Sequence, residues 1–186
     1  MNVVVFNNCI KHHQDRVFSF CAHMLGDRDL AADVTQDVFI KLWENDAKMD
    51  ASRVLGWLLK VARNACIDQI RKRKVRFAVT ESSDFSLDSM SSDTSLPDEI
   101  ASNALFDVRL KAALQSIGEP FQSIIILREM QDYKYEEISE MLDLPLNTVK
   151  VYLHRARKAL RVKLKMVMET DSFEHNVNEE SRHDFS

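Results

Sequence analysis

The chain has 186 residues, of which 45% are apolar and 29% charged, with a net charge of −4. Three glycines and three prolines leave few tight turns, which argues against a many-stranded β fold, and no apolar run reaches the roughly 18–20 residues that span a bilayer. No signal-peptide pattern opens the chain, and Cys9, Cys21 and Cys66 form no C-x-x-C pair, so a disulfide framework and a Cys-based zinc site are disfavoured and a reducing cytoplasm fits.

Helical spacing runs through the first 76 residues. Val17, Phe18, Cys21 and Leu25 share one face, and Gly26 is a natural stop. Asp27 or Asp29 caps the next helix. There Leu30, Val34, Val38 and Leu42 recur every fourth residue, and Ala31, Phe39 and Trp43 widen the apolar stripe. Ser52 is placed to cap a third, long helix through Leu55, Leu58, Leu59, Ala62, Cys66 and Ile70. Its other side carries Lys60, Arg63, Asn64 and Arg71.

Residues 77–96 break the period. Serine and aspartate dominate there, which predicts a flexible acidic linker. Ser95 and Pro97 mark a new helix start, with Asp98 and Glu99 in the first turn. That helix is expected to run through Ile100, Ala104, Val108 and Ala112 toward Ile117 and to end at Gly118. Pro120 opens a segment holding Phe121, Ile124, Ile125 and Leu127, and a short helix follows over Tyr135–Leu142. The polar tail from residue 169 is expected to be disordered. The fold class is therefore all-α: two small helical domains, 1–76 and 97–168, joined by the linker and followed by the tail 169–186.

The net charge hides an asymmetry. Residues 53–76 hold eight bases and one acid, residues 150–165 hold seven bases and no acid, and residues 77–100 hold six acids and no base. Two basic blocks on amphipathic helices, separated by an acidic one, point to polyanion binding more than to two solvated faces. The second block has a recognisable setting. Ile138, Met141 and Leu142 face inward on the short helix, and Asp143 sits where a left-handed turn residue is expected. Pro145 favours a second helix, with Val149, Leu153, Ala156 and Leu160 inward and Lys150, Val151, His154, Arg155 and Lys158 outward. This is helix-turn-helix logic, in which the second helix lies in a major groove. A helical hairpin with a solvated basic face is the plainer reading of the same pattern.

The stretch YKYEEISEMLDLPLNTVKVYLHRARKALR resembles the C-terminal DNA-binding domain of bacterial sigma factors of the extracytoplasmic-function (ECF) group. DLAADVTQDVFIKLWEN resembles the helix with which such factors grip RNA polymerase, and GWLLKVARNACIDQIRKRK the helix that melts and reads the minus-ten element. The resemblance covers about residues 5–76 and 100–165. It departs at Asp143, where glycine is usual, at Ser139, where alanine is common, and at Asn147, often glycine.

The resemblance implies a promoter-recognition subunit with core RNA polymerase, promoter DNA and an anti-sigma factor as partners, and with neither a cofactor nor enzymatic activity of its own. It implies that Asn147, Thr148, Lys150, Val151, His154, Arg155 and Lys158 meet the minus-thirty-five element, with Tyr152 facing or flanking DNA. Lys60, Arg63, Asn64 and Arg71 would meet the minus-ten element, because cations follow a single-strand backbone and an amide reads an unstacked base. Lys48 and Met49, with Asp50 and Ser52, would line the pocket for a flipped base; Trp57 fits either the core or melted DNA. Asp33, Gln36 and Asp37 would contact the polymerase. Two rival readings remain: a free-standing helix-turn-helix regulator, and a DNA-acting enzyme with such a domain. The spacing of Cys9, His12, His13, Cys21 and His23 fits no usual zinc pattern.

Overall fold

The computed structural model describes residues 2–45, 53–80 and 98–183, and every regular element among them is helical. In the first half, α1 (Val3–Leu25), α2 (Arg28–Glu44) and α3 (Val54–Thr80) pack together. Gly26 ends α1 in the left-handed conformation (φ 68°), its N–H bonding to Ala22 O. Of the two aspartates that could cap α2, Asp27 does so: one of its carboxylate oxygens accepts from the N–H groups of Asp29 and Leu30 at 3.1 and 3.0 Å. Such a cap is worth about 1 kcal/mol. Val34, Val38 and Leu42 are buried as their spacing requires. Trp43 is not: it is 43% exposed and stands edge-on to Phe6, ring centroids 5.0 Å apart. It lies at the margin of the stripe, where the helix face turns out of the core. Trp57 is half-buried against the core.

In the second half, α4 (Asp98–Gln115) leads to α5 (Phe121–Ile125), which continues into a π-helical turn at Ile126–Met130. The short helix α6 (Tyr135–Leu142) and the long α7 (Leu146–His183) follow. Along α4 Val108 is 61% exposed and Ala112 is exposed, whereas Ala113 and Leu114 are buried, as is Ile117 just beyond the helix end. Two rows of apolar residues run along this helix at nearly the same spacing, and packing against α7 selects the row through Leu110 and Leu114.

Both long helices outrun expectation. α3 reaches Thr80, so residues 77–80 are helix rather than linker, and residues 81–96 lie outside the described residues, as do Ser52, Ser95 and Pro97. α7 continues to His183 through the segment expected to be disordered. The cause is shared: neither α3 after Gly56 nor α7 at any point holds a glycine or proline to stop it.

The two halves pack against each other. One apolar cluster runs from Val17, Met24, Leu58 and Leu59 to Ile124, Leu127, Tyr133, Met141 and Leu153, and a second, smaller cluster joins Leu114, Ile125 and Ala156. Two glutamine amides stitch the seam, that of the buried Gln122 and that of the exposed Gln115. Gln122 Nε2 donates to Met24 O at 3.0 Å, and Gln115 Nε2 to Leu25 O at 2.9 Å. These are last-turn carbonyls of α1, which have no partner within their own helix.

Candidate nucleic-acid interfaces

The α6–turn–α7 unit is built from local chemistry. Glu137 reaches back to accept from the N–H of Lys134 at 2.7 Å and fixes the start of α6. Asp143 ends it at φ 51°, ψ 45°, the left-handed conformation expected from the sequence. Ser139 clasps the turn: its carbonyl accepts from the N–H of Leu144, and its hydroxyl donates to Leu144 O. An alanine there would fill the crossing but could not make the second bond.

α7 then presents two faces. Val149, Leu153 and Ala156 are fully buried or nearly so, while Asn147, Lys150, Val151, His154, Arg155 and Lys158 are exposed and Thr148 is half-buried. Two neighbours of this set behave differently. Tyr152 turns inward and meets Phe121 edge-on, ring centroids 5.5 Å apart, so its ring belongs to the domain core rather than to a DNA face. Arg157 is held by Glu129, which accepts from its Nε at 3.0 Å and its terminal nitrogen at 2.7 Å. That hydrogen bond raises the guanidinium above its usual range. The π-helical turn carries Glu129, so the extra residue in this turn helps set which cations of α7 remain open.

The basic face of α3 is divided. Asn64 and Arg71 are exposed, Arg71 forming a surface pair with Asp68 of its own helix at 3.5 Å. Arg63 and Lys60 instead meet the other half of the chain. Glu119 Oε2 accepts from Arg63 Nε at 3.0 Å and from a terminal nitrogen at 2.8 Å; Ser123 Oγ accepts from the same Nε at 3.0 Å and donates to Glu119. Lys60 pairs with Asp143, the turn residue of the helix-turn-helix unit. Sequence reasoning missed Glu119, Ser123 and the seam glutamines. The signal available was two polar residues, Gln122 and Ser123, set inside an apolar run. Lys48 and Met49, with Asp50, lie outside the described residues.

On α2, Asp33, Gln36 and Asp37 are exposed. Beside them a groove of about 610 Å³ runs between α1 and α2, lined by Phe6, Ile10, Phe18, Phe39 and Ile40, with Asp15 and Gln36 among its polar residues. Among the described residues there is no cluster of three or more His, Cys, Asp or Glu that could hold a metal, and no helix is long and apolar enough to cross a membrane.

Comparison with known proteins gives a consistent assignment. Residues 9–76 match the family Sigma-70 region 2, and residues 108–160 match Sigma-70, region 4. The chain is 28% identical over 167 residues to ECF RNA polymerase sigma factor SigW of Bacillus subtilis, covering 86% of this chain and 89% of that protein. It is 33% identical over 135 residues to RNA polymerase sigma factor YlaC of the same organism, covering 72% and 76%. Among solved structures, the sigma factor RpoE, crystallised with the anti-sigma factor NepR from Bartonella quintana, matches 88% of this chain and 98% of its own with a TM-score of 0.66 at 21% identity. The two region matches stand in the order of the two helical halves, and the exposed basic face of α7 lies inside the second. The chain belongs to the ECF group of the sigma-70 family, the RNA polymerase sigma factors that direct transcription initiation.

Proposed function

We propose a division of labour between the two halves. The first half, residues 1–76, binds core RNA polymerase through Asp33, Gln36 and Asp37 on α2. It opens the minus-ten element with Asn64 and Arg71, joined by Lys60 and Arg63 when these are released, and with Lys48 and Met49. The second half, residues 97–168, reads the minus-thirty-five element as a duplex through Asn147, Thr148, Lys150, Val151, His154, Arg155 and Lys158. The observation that carries this reading is the sorting of α7, whose buried row holds Val149, Leu153 and Ala156 and whose exposed row begins with polar and basic residues at the helix start.

The residues between 80 and 97 connect the two readers, and their acidity suits a path through channels that later hold RNA. Chemistry is left to the polymerase, so the chain needs no cofactor and acts in the cytoplasm as a non-catalytic subunit. An anti-sigma factor is its expected regulator, since the RpoE chain of similar fold was crystallised with one. The test is transcription in vitro: core polymerase supplied with this chain should initiate at a defined subset of promoters from a genomic library. Initiation at random positions, or failure to co-purify with core polymerase, would refute the reading and favour a free-standing regulator. Metal-dependent cleavage of DNA by the chain would favour an enzyme instead.

A further inference from the structure

The outward face of α7 carries an apolar residue at its centre. Among the described residues of this helix up to Leu160, Val151 is the one apolar side chain that stands exposed, at 48%. Neither apolar cluster of the fold includes it. At 3.6 residues per turn it lies about 140–160° around the axis from Val149, Leu153 and Ala156, the buried row, and so at the middle of the opposite face. Asn147 and Arg155 stand one turn before and one turn after it. Lys150 and His154 lie on one flank, and Lys158 two turns further along; all five are exposed. A lone exposed valine on a solvated surface is ordinary. This one is ringed by groups suited to a polyanion, on the side of the helix that points away from its own domain.

We infer that Val151 is a specificity-determining residue for thymine, packing on the C5-methyl group of one thymine in the minus-thirty-five element. The inference rests on the reading of α7 given above and adds the base that one of its side chains selects. The apolar group that the major groove offers is the thymine methyl, set among hydrogen-bond donors and acceptors on the other base edges. Against guanine or cytosine, the valine would strip water from those donors and acceptors and return no hydrogen bond, which costs free energy. Attraction to the methyl and this penalty act in the same direction, and together they discriminate. The side chain suits the task. A β-branched residue within a helix keeps one strongly preferred χ1 rotamer, so its two methyl groups are set before binding and little freedom is lost on contact.

The experiment uses holoenzyme assembled from core polymerase and the full chain. Selection from a library randomised across the minus-thirty-five element first gives the preferred sequence. Each thymine of that element, on either strand, is then replaced in turn by deoxyuridine, which pairs with adenine in the same way and lacks only the methyl group. At one position the replacement should lower promoter affinity by about fourfold, the worth of burying one methyl-sized group. With Val151→Ala the same replacement should have little further effect, because the partner of the methyl is gone. Val151→Thr, which retains one of the two methyl groups, should fall between. Alanine is a good helix former, so the helical circular dichroism of Val151→Ala should match wild type. No thymine sensitive to the replacement, or a sensitivity that Val151→Ala leaves intact, would overturn the proposal while leaving α7 as the reader. A wild-type holoenzyme that selects no minus-thirty-five sequence would instead remove the reading of α7, and the proposal with it.

Discussion

The side chain of Gln115 lies directly over Gly26. Its amide nitrogen donates to Leu25 O at 2.9 Å, and a β-carbon at position 26 would stand 1.5 Å from that nitrogen. The residue that ends α1 is thus also the residue that admits the second half of the chain. Gly26→Ala faces two penalties: a left-handed backbone for a residue with a β-carbon, and displacement of Gln115 from its carbonyl. Together these cost roughly 2–3 kcal/mol. Gln115→Ala alone should cost about 1 kcal/mol. Urea unfolding of both single variants and the double variant is the check. The double variant should fall short of the sum, because the displaced contact is lost only once; simple additivity would show that the two residues act independently.

The faces of α7 should separate in two measurements. Leu153→Ala truncates a side chain 1% exposed and should lower stability by about 2–5 kcal/mol. Lys150→Ala and Arg155→Ala should leave stability within about 0.5 kcal/mol of wild type. They should relax preference at particular minus-thirty-five positions by roughly 1–3 kcal/mol per lost base contact. Transcription from a library randomised across that element reads the second effect. If both alanine variants select the wild-type sequence, α7 is not the reader.

Salt dependence distinguishes the neighbouring cations. Lys158 is exposed and lies farther along the helix, where it can meet a phosphate, so Lys158→Ala should reduce the salt slope of promoter binding by about one unit. Arg157 is engaged by Glu129, so Arg157→Ala should change the slope by less than Lys158→Ala. Equal changes would mean that Glu129 releases Arg157 on DNA.

The polymerase face can be tested without disturbing the fold. Asp33 and Asp37 are exposed, so reversing both to lysine should leave the helical circular dichroism unchanged. Affinity for core polymerase at moderate salt should fall. Unchanged affinity in a competition assay would remove both residues from the contact.

The thiols should react in a fixed order. Cys21 and Cys66 are fully buried, whereas Cys9 is only partly buried. Hydrogen bonding with Cys21 and burial push the Cys66 thiol far above its ordinary range, and burial raises Cys9 more modestly. Thiolate is the reactive form. Under native conditions a thiol reagent should therefore label Cys9 first and Cys66 only as fast as the chain unfolds. Prompt labelling of Cys66 in the folded protein would contradict the buried arrangement.

Much of this architecture is legible in the sequence where local rules act alone. Gly26, Asp27, Asp143 and Pro145 set helix ends by backbone conformation and capping, and all four behave as the sequence predicts. The exposed row of α7 follows from the spacing of Val149, Leu153 and Ala156. Legibility fails where a second element decides. On α4, Val108 and Leu114 belong to competing rows, and only α7 chooses between them. Tyr152 is drawn inward by Phe121, 31 positions earlier in the sequence. Arg63 reads as an open cation because Glu119 is 56 positions away. No spacing rule reaches that far.

The seam also has a consequence for biosynthesis. The last-turn carbonyls of α1 find their partners on Gln115 and Gln122, and Met141 supplies part of the apolar cluster that Leu58 and Leu59 begin. All three of those later residues leave the ribosome after α3. At about 5–20 residues per second, the nascent first half waits several seconds before its cover emerges. Through that interval it is a helical unit with an uncovered apolar side, a substrate for chaperones and proteases. Variants that weaken only the second half should therefore lower the yield of the whole chain in the cell, even where the first half is untouched.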